Sequence, residues 1–206
     1  MVRLVLLVGL LAVVLTLALY TFVRFGPDLS MYKSLTEPRI TTLEDQKMLV
    51  VQAVGDPNVV GAKAFGKLFE VYYQIKDAPK GPNQPAPRAR WSQSLDAPPN
   101  EWVGRYALPV PSSIETLPPQ EPAAGLQVQL TVWQYGEVAE ILHIGPYSSE
   151  GPTVEKLKRF ISDRGYKIID DQEEEYLRRP GLFGVSPGDY YTIIRYRITK
   201  SQSNVQ

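Results

Sequence analysis

Five consecutive side chains toward the C-terminal end, Glu173-Glu174-Glu175-Tyr176-Leu177, set carboxylates beside a phenol. In an extended strand successive side chains point to opposite faces. Glu174 and Tyr176 then share one face, and Glu173 and Glu175 the other. A carboxylate among aromatic rings can hold a lipophilic cation by charge and by attraction to the ring faces. Buried without a partner, it is pushed toward its protonated form and can act as an acid or a base. The plainer reading is a solvated acidic run opposite Arg178 and Arg179, and by it at least one face of the strand is wet. Tyr147 and Tyr176, with Trp91, Trp102, Trp133 and Tyr196, are the rings that can wall such a carboxylate, although aromatic residues also build cores.

Other chemistries are poorly supplied. The chain has no cysteine, which removes disulfides, thiolate nucleophiles and cysteine metal sites. Its one histidine, His143, shares a strand face with Ala139 and Ile141 and reads as structural. Ser148 and Ser149 lie in no G-x-S-x-G elbow. Gly145 lacks the further glycines of a phosphate loop. Asp170 and Asp171 read as the end of a helix-to-strand loop and not as metal ligands. No cofactor is expected. The 22 basic and 22 acidic residues cancel, which argues against a nucleic-acid partner.

The elements that must position these residues come in two sets. Val54-Gly55 is matched ninety positions on by Ile144-Gly145, Gly61 by Gly151, Arg88 by Arg178, and Arg105-Tyr106 by Arg195-Tyr196. A constant offset across such different residue types indicates a duplicated unit. The first unit, 40–110, runs through an extended arm, the β-rich Met48–Val54 and a helix near 58–75 with Phe65, Leu68, Phe69 and Tyr72 as its apolar stripe. A strand pair, 88–95 and 102–110, completes it. A proline-rich linker, 111–125, follows. The second unit, 126–199, repeats the order: Leu126, Val128, Leu130 and Val132 alternate, then Val138–Ile144 extends. A helix starting at Gly151-Pro152 buries Val154, Leu157 and Ile161 and stops at Gly165. The strands 172–179 and 190–198 close it, with 200–206 as a frayed tail. The expected fold is α+β: two strand–helix–strand–strand units related by a pseudo-twofold axis, both helices packed on an antiparallel sheet.

Ahead of this, Leu4 to Val23 is an uncharged apolar run between Arg3 and Arg24. At about 1.5 Å per residue it spans a hydrocarbon core of roughly 30 Å. It is longer than the apolar region of a signal peptide, and Tyr20, Phe22 and Phe25 stand where a cleavage site needs small residues. Residues 1–25 are read as a single-pass transmembrane anchor and 26–36 as a tether. Arg24, Lys33 and Arg39 beyond the span favour a cytoplasmic C-terminal domain.

The stretches His143 to Tyr147, ending in Gly-Pro-Tyr, Val154 to Gly165, Glu174 to Leu177 as Glu-x-Tyr-Leu, and Tyr190 to Ile198 together resemble the GyrI-like family of the SOUL-like superfamily. That family includes gyrase inhibitors and bacterial effector-binding domains. The resemblance covers 37–199 and includes a membrane-anchored type similar to the testis-expressed receptor for autophagy of the endoplasmic reticulum. It implies a pocket glutamate at Glu174, the first position of Glu-x-Tyr-Leu, with Tyr176, Tyr147, Trp133, Trp91 and Tyr196 as ligand-binding rings.

The expected function is a membrane-anchored module that binds a lipophilic or cationic small molecule between the repeats. One alternative is a membrane-tethered adaptor presenting an exposed aromatic patch to a protein partner. Another, also implied by the resemblance, is a hydrolase of electrophilic small molecules in which Glu174 activates water and Tyr176 or Tyr147 donates a proton. Binding without catalysis is the leading expectation.

Overall fold

The computed structural model describes residues 29–92, 98–120, 125–180 and 185–201. The expected anchor and the last residues of the tail lie outside these. No helix among the described residues is long and apolar enough to cross a membrane.

The first unit supplies β1 (Arg39–Leu43), β2 (Gln46–Val54), α1 (Pro57–Gln74), β3 (Arg88–Trp91) and β4 (Val103–Pro109). The second supplies β5 (Gln129–Trp133), β6 (Gly136–Ile144), α2 (Gly151–Asp163), β7 (Tyr166–Ile168), β8 (Gln172–Arg178) and β9 (Tyr191–Lys200). They form one curled, wholly antiparallel sheet in the order β1-β6-β9-β8-β3-β4-β2-β5, with β7 added to the end of β9. The order reads the same from either edge once each strand is exchanged for its counterpart, which is the expected pseudo-twofold relation. The seam between the units is the β3–β8 pair, where Ala89 stands opposite Glu174.

The arms are exchanged between units. β1 pairs with β6, and β5 pairs with β2. The two corners meet, with the Tyr135 N–H donating to Asp45 Oδ1 at 2.9 Å. In the arms and β2/β6 the ninety-residue spacing holds to the residue. Gly55 and Gly145 both take positive φ, 132° and 138°, where a side chain would be strained. Each ends its strand by donating its N–H to a carbonyl at the entry of the last strand of its unit, Trp102 O at 2.9 Å and Tyr190 O at 3.0 Å. Elsewhere the spacing drifts, because a 3-10 turn, Tyr147–Ser149, delays the start of α2 and α1 is then five residues longer than α2 (18 against 13). Gly61 lies inside α1 whereas Gly151 opens α2, and Arg178 lies past a bulge after Tyr176 that has no counterpart at Arg88. Arg105 pairs with Gln52 whereas Arg195 pairs with Glu140, the counterpart of Val50, so Arg195 corresponds to Ala107 and not to Arg105; none of these three matches is a structural equivalence.

α1 packs on β2 and β4, and α2 on β6 and β7, from the same face. Asp56 caps α1, accepting from the Asn58 N–H at 2.9 Å, and Pro57 stands in the first turn. The buried stripe of α1 runs through Ala64, Leu68, Val71 and Tyr72, and leaves Phe65 and Phe69, both placed in it by the periodicity, only partly buried. Small Gly61 and Ala64 let the helix settle close to the sheet, with Gly61 against the Tyr106 ring, and turn Phe65 to the flank. α2 buries Val154, Leu157 and Ile161, and Gly165 ends it at φ 72°. β7, a three-residue strand, had no legible signal in the sequence.

The tether is partly structured. Ser30–Thr36 is a 3-10 helix whose Leu35 is buried against Leu142 and Ile193 on the face opposite the α-helices. That face is not wet. Glu173 is 2 % exposed and Arg195 5 %. Arg195 binds Glu173 at 2.7 Å, Glu140 at 2.9 Å and Glu175 at 3.2 Å, while Arg90 binds Glu173 at 2.8 Å. Burial alone would depress Arg195, but Glu175, Glu173 and Glu140 together hold it above the usual arginine value. The acidic run is therefore half of a buried ion network, and its partners are Arg88, Arg90 and Arg195, not Arg178 and Arg179.

Candidate binding site between the two helices

Because each helix covers its own half of the sheet, the strip over β3, β8 and β9 lies between them. Glu174 projects into this strip. It is 6 % exposed, and both its oxygens accept hydrogen bonds: Oε1 from Gln172 Nε2 at 2.9 Å and Oε2 from the Tyr176 hydroxyl at 2.7 Å. Gln172 is held in turn by the Tyr196 hydroxyl, which donates to its Oε1 at 2.6 Å. Alternation along β8 thus puts Gln172, Glu174 and Tyr176 in one row, as the sequence indicated for the last two. Burial raises the Glu174 pKa, and the hydrogen bonds from Tyr176 and Gln172 offset only part of that shift. Tyr176 is raised for the same reason, burial first and the neighbouring Glu174 second.

Rings surround the carboxyl group. Tyr147 meets Tyr176 edge to face at 5.6 Å and Tyr190 at 5.3 Å, and is itself 38 % exposed. Phe65 of α1 reaches across to Tyr176 at 5.9 Å and Tyr106 at 5.1 Å. Trp91 contacts Tyr106 at 5.5 Å and Trp102 at 5.8 Å. Gly104 makes this packing possible: a Cβ there would come within 2.7 Å of the Trp91 ring and 2.8 Å of Tyr106.

Trp91 Nε1 lies within reach of the Glu174 carboxyl and the Thr192 hydroxyl within reach of Glu150, although neither contact is a close, well-aligned hydrogen bond; Tyr106 Oη is buried beside them. Glu150 is pushed far above the usual carboxylate range, by burial first and then by Glu174.

Of the six candidate residues, Glu174, Tyr176, Tyr147, Trp91 and Tyr196 are brought together. Trp133 is not. It lies on the opposite face with Met48, Val50, Ala107 and Tyr135, under the Arg90 guanidinium at 4.1 Å. Its position in β5 gives it the parity of Met48 and Val50, so strand alternation in an exchanged arm carries it away from Glu174. A hollow of about 600 Å³ lies on that face, lined in part by Trp133, Arg90, Arg105 and Arg197. Its arginines are matched by Glu173, Asp171 and Asp170, so it offers little free charge. Both ring nitrogens of His143 have partners, and Ser149 Oγ lies 3.4 Å from Nε2. Nδ1 lies 3.0 Å from Thr153 Oγ1 and Nε2 3.2 Å from Pro146 O, and burial lowers its pKa. Glu150, Thr192, Tyr106 and Phe65 were missed. Only Glu150 carried a usable signal, an acidic residue just ahead of Gly151-Pro152. No cluster of histidine, cysteine and acidic residues suited to a metal occurs among the described residues.

The family model described as GyrI-like small molecule binding domain matches residues 36–198. The chain belongs to the GyrI-like family. Solved structures agree with this GyrI-like fold. An uncharacterized conserved protein from Listeria innocua is 21 % identical, with a TM-score of 0.68 over 82 % of this chain and 96 % of that one. A hydrolase from Listeria innocua is 20 % identical, with a TM-score of 0.63 over 82 % and 95 %. The EcmrR C-terminal domain is 12 % identical, with a TM-score of 0.55 over 80 % and 98 %. At these identities the likeness speaks to fold alone. No curated protein matches the GyrI-like chain in sequence.

Proposed function

We propose that this GyrI-like chain binds a lipophilic, cationic small molecule in the cleft between α1 and α2, with Glu174 supplying the charge and Tyr147, Tyr176, Trp91 and Tyr196 the ring surface. The observation that carries the reading is a buried carboxyl group with no cationic partner among the described residues, ringed by aromatic side chains. Glu173 and Glu175 on the opposite face already have their arginines, so Glu174 is the member of the acidic run left for a ligand. Trp91 and Trp102 lie beside the cleft and serve as reporters. Titration with lipophilic cationic dyes is expected to quench tryptophan emission saturably. Glu174→Gln is expected to weaken binding about tenfold or more, because it removes the charge and keeps the shape. A linear, non-saturating response across the dye panel would remove this function.

We assign a membrane anchor to Leu4–Val23 on its length and lack of charge. The full chain is expected to stay with membranes through alkaline carbonate washing, and a chain starting at residue 29 to be released; release of both would rule out the anchor.

A second reading has one observation in its favour. The Tyr176 hydroxyl and Glu174 carboxyl share a 2.7 Å hydrogen bond, the pairing an acid–base hydrolase of electrophilic substrates would use, and one solved neighbour is named a hydrolase. Turnover of an epoxide probe that disappears in Glu174→Ala would favour it over binding alone. The adaptor reading has less support, because Trp91, Trp133, Tyr176 and Tyr196 are all buried and not displayed.

A further inference from the structure

The tether restricts how the folded part can stand over its anchor. Ser30–Thr36 packs across the end of the sheet where β6 and β8 stop and β9 begins. Leu35 is buried against Leu142 and Ile193, and Tyr32 packs on the same cluster with Leu177 and Tyr191. Only residues 24–28 separate Val23, the last residue of the apolar run, from Leu29. Fully extended, that stretch spans about 20 Å. β6 alone, nine residues long, spans about 30 Å. The tether therefore keeps this end of the sheet close to the bilayer. The far end, where Val54 leaves β2 and Val59 opens α1, has no such restraint. From β6 through β9, β8, β3 and β4 to β2 the pairings are all antiparallel and odd in number, so Val54 and its counterpart Ile144 lie at opposite ends.

The outermost ring of the cleft stands at the tethered end. Gly145 closes β6 onto Tyr190 O, and Tyr147, two residues on, packs against Tyr190 and Tyr176. Of the rings assigned to the ligand, Tyr147 is the exposed one; Tyr176, Trp91 and Tyr196 are buried. Other apolar side chains stand open at this end: Ile144, paired with Tyr191, Tyr73, stacked on Phe69 near the end of α1, and Met31 in the tether. Arg178 pairs with Tyr191, and Arg179 lies over Phe69 at 5.3 Å. Lys80 donates to Tyr73 O at 3.0 Å. Lys33, Lys80, Arg178 and Arg179 make no ion pair among the described residues. Of the acids beside them, Glu37 and Glu175 are held by Lys156 and Arg195, which leaves Asp77 and Asp189. Tyrosine and aliphatic tips set among unpaired basic side chains suit the headgroup layer of an anionic bilayer.

Resting on the cleft and the anchor proposed above, we propose that the tethered end of the sheet lies against an anionic bilayer surface, and that the lipophilic cation passes between membrane and cleft beside Tyr147 without entering bulk water. A lipophilic cation gathers in the headgroup layer of such a bilayer through its apolar surface and its charge. The short tether holds the cleft where that ligand is concentrated. Met31, Tyr73 and Ile144 take no part in the cleft and serve as contacts with lipid, while the basic side chains meet the anionic headgroups.

The chain has no cysteine, so single spin labels can be placed freely. Full-length Ile144→Cys and Tyr73→Cys are labelled and reconstituted in vesicles of mixed phosphatidylcholine and phosphatidylserine. Both labels are expected to lose most of their collisions with nickel–EDDA and to keep their collisions with oxygen. Labels on Val54→Cys and Val59→Cys, exposed at the far end, are expected to stay accessible to nickel. The second measurement is the rate at which a lipophilic cationic dye, preloaded in the same vesicles, quenches tryptophan emission. Inserting about thirty Gly/Ser residues between Gly26 and Pro27 is expected to slow that loading about tenfold and to leave equilibrium dye binding in detergent unchanged. Ile144 and Tyr73 labels as open to nickel as the Val54 label, or loading unaffected by the longer tether, would overturn the membrane-facing cleft and leave dye binding intact. Labels at Ile144 and Tyr73 shielded from nickel and oxygen alike would put a second copy of the chain on this end and would overturn it too. Saturable dye binding in detergent without vesicle association would remove the anchor, and this inference with it; no saturable binding in detergent would remove the cleft function itself.

Discussion

Glu173 and Glu174 are neighbours in the chain and occupy opposite chemical worlds. One is locked among arginines under the sheet; the other sits among rings with only neutral donors. The difference follows from alternation along one strand, and so does a pH effect. Glu150 is raised above the ordinary carboxylate value by burial and then by Glu174, so the folded chain keeps a proton there that the unfolded chain releases. Stability then falls as pH rises from the ordinary carboxylate range through neutrality, because the unfolded state binds fewer protons. The loss levels off once pH passes the raised value. Glu150→Gln has no proton to lose, so its advantage over the unmodified chain in urea denaturation is expected to grow from pH 5 to pH 8. A constant difference across that range would mean that Glu150 is ionised in the fold. At this scale Glu174 and Tyr176 were legible, because alternation is a local rule. The dryness of the opposite face was not, because the arginines that bury Glu173 come from β3 and β9, far away in sequence.

At the scale of elements, the sharp exits from β2 and β6 set where the helices begin and hence how wide the strip between them is. Gly145 takes a φ of 138°, and a Cβ there would press on Ser149 Oγ at 3.3 Å and His143 Nε2 at 3.4 Å. Gly145→Ala is expected to cost about 1–3 kcal/mol of stability, read from chemical denaturation. It is also expected to weaken dye binding by displacing the Tyr147–Glu150 turn. The same change at Gly125, where a Cβ meets nothing within 4 Å, serves as the control for glycine replacement at positive φ. The glycines and the amphipathic pattern of α2 were readable. The stripe of α1 was misjudged, because bulky Phe65 outweighed small Ala64 in the periodicity although small residues govern how closely a helix approaches a sheet. The bulge after Tyr176, which ends the regular pairing of β8 with β9 beside the rings, leaves no mark in residue types.

For the whole molecule, duplication was visible as matched residues and became a sheet with mirrored strand order. Which strand of which unit pairs with which was not visible, since pairing partners are a tertiary outcome that short alternating strands do not encode. That outcome decides how the halves depend on each other. β1 completes the rim of the second unit and β5 that of the first. A fragment ending in the linker at 111–125 would carry an arm built for a companion and lack the one it needs. Cleaved there, the protein is expected to stay associated through gel filtration, and separately produced fragments to regain dye binding on mixing. The first fragment alone, holding both a donor arm and a vacant rim, would be expected to find a second copy of itself. Two identical pieces clasped in that way would reproduce the outline of the present single chain, with the linker as the later addition.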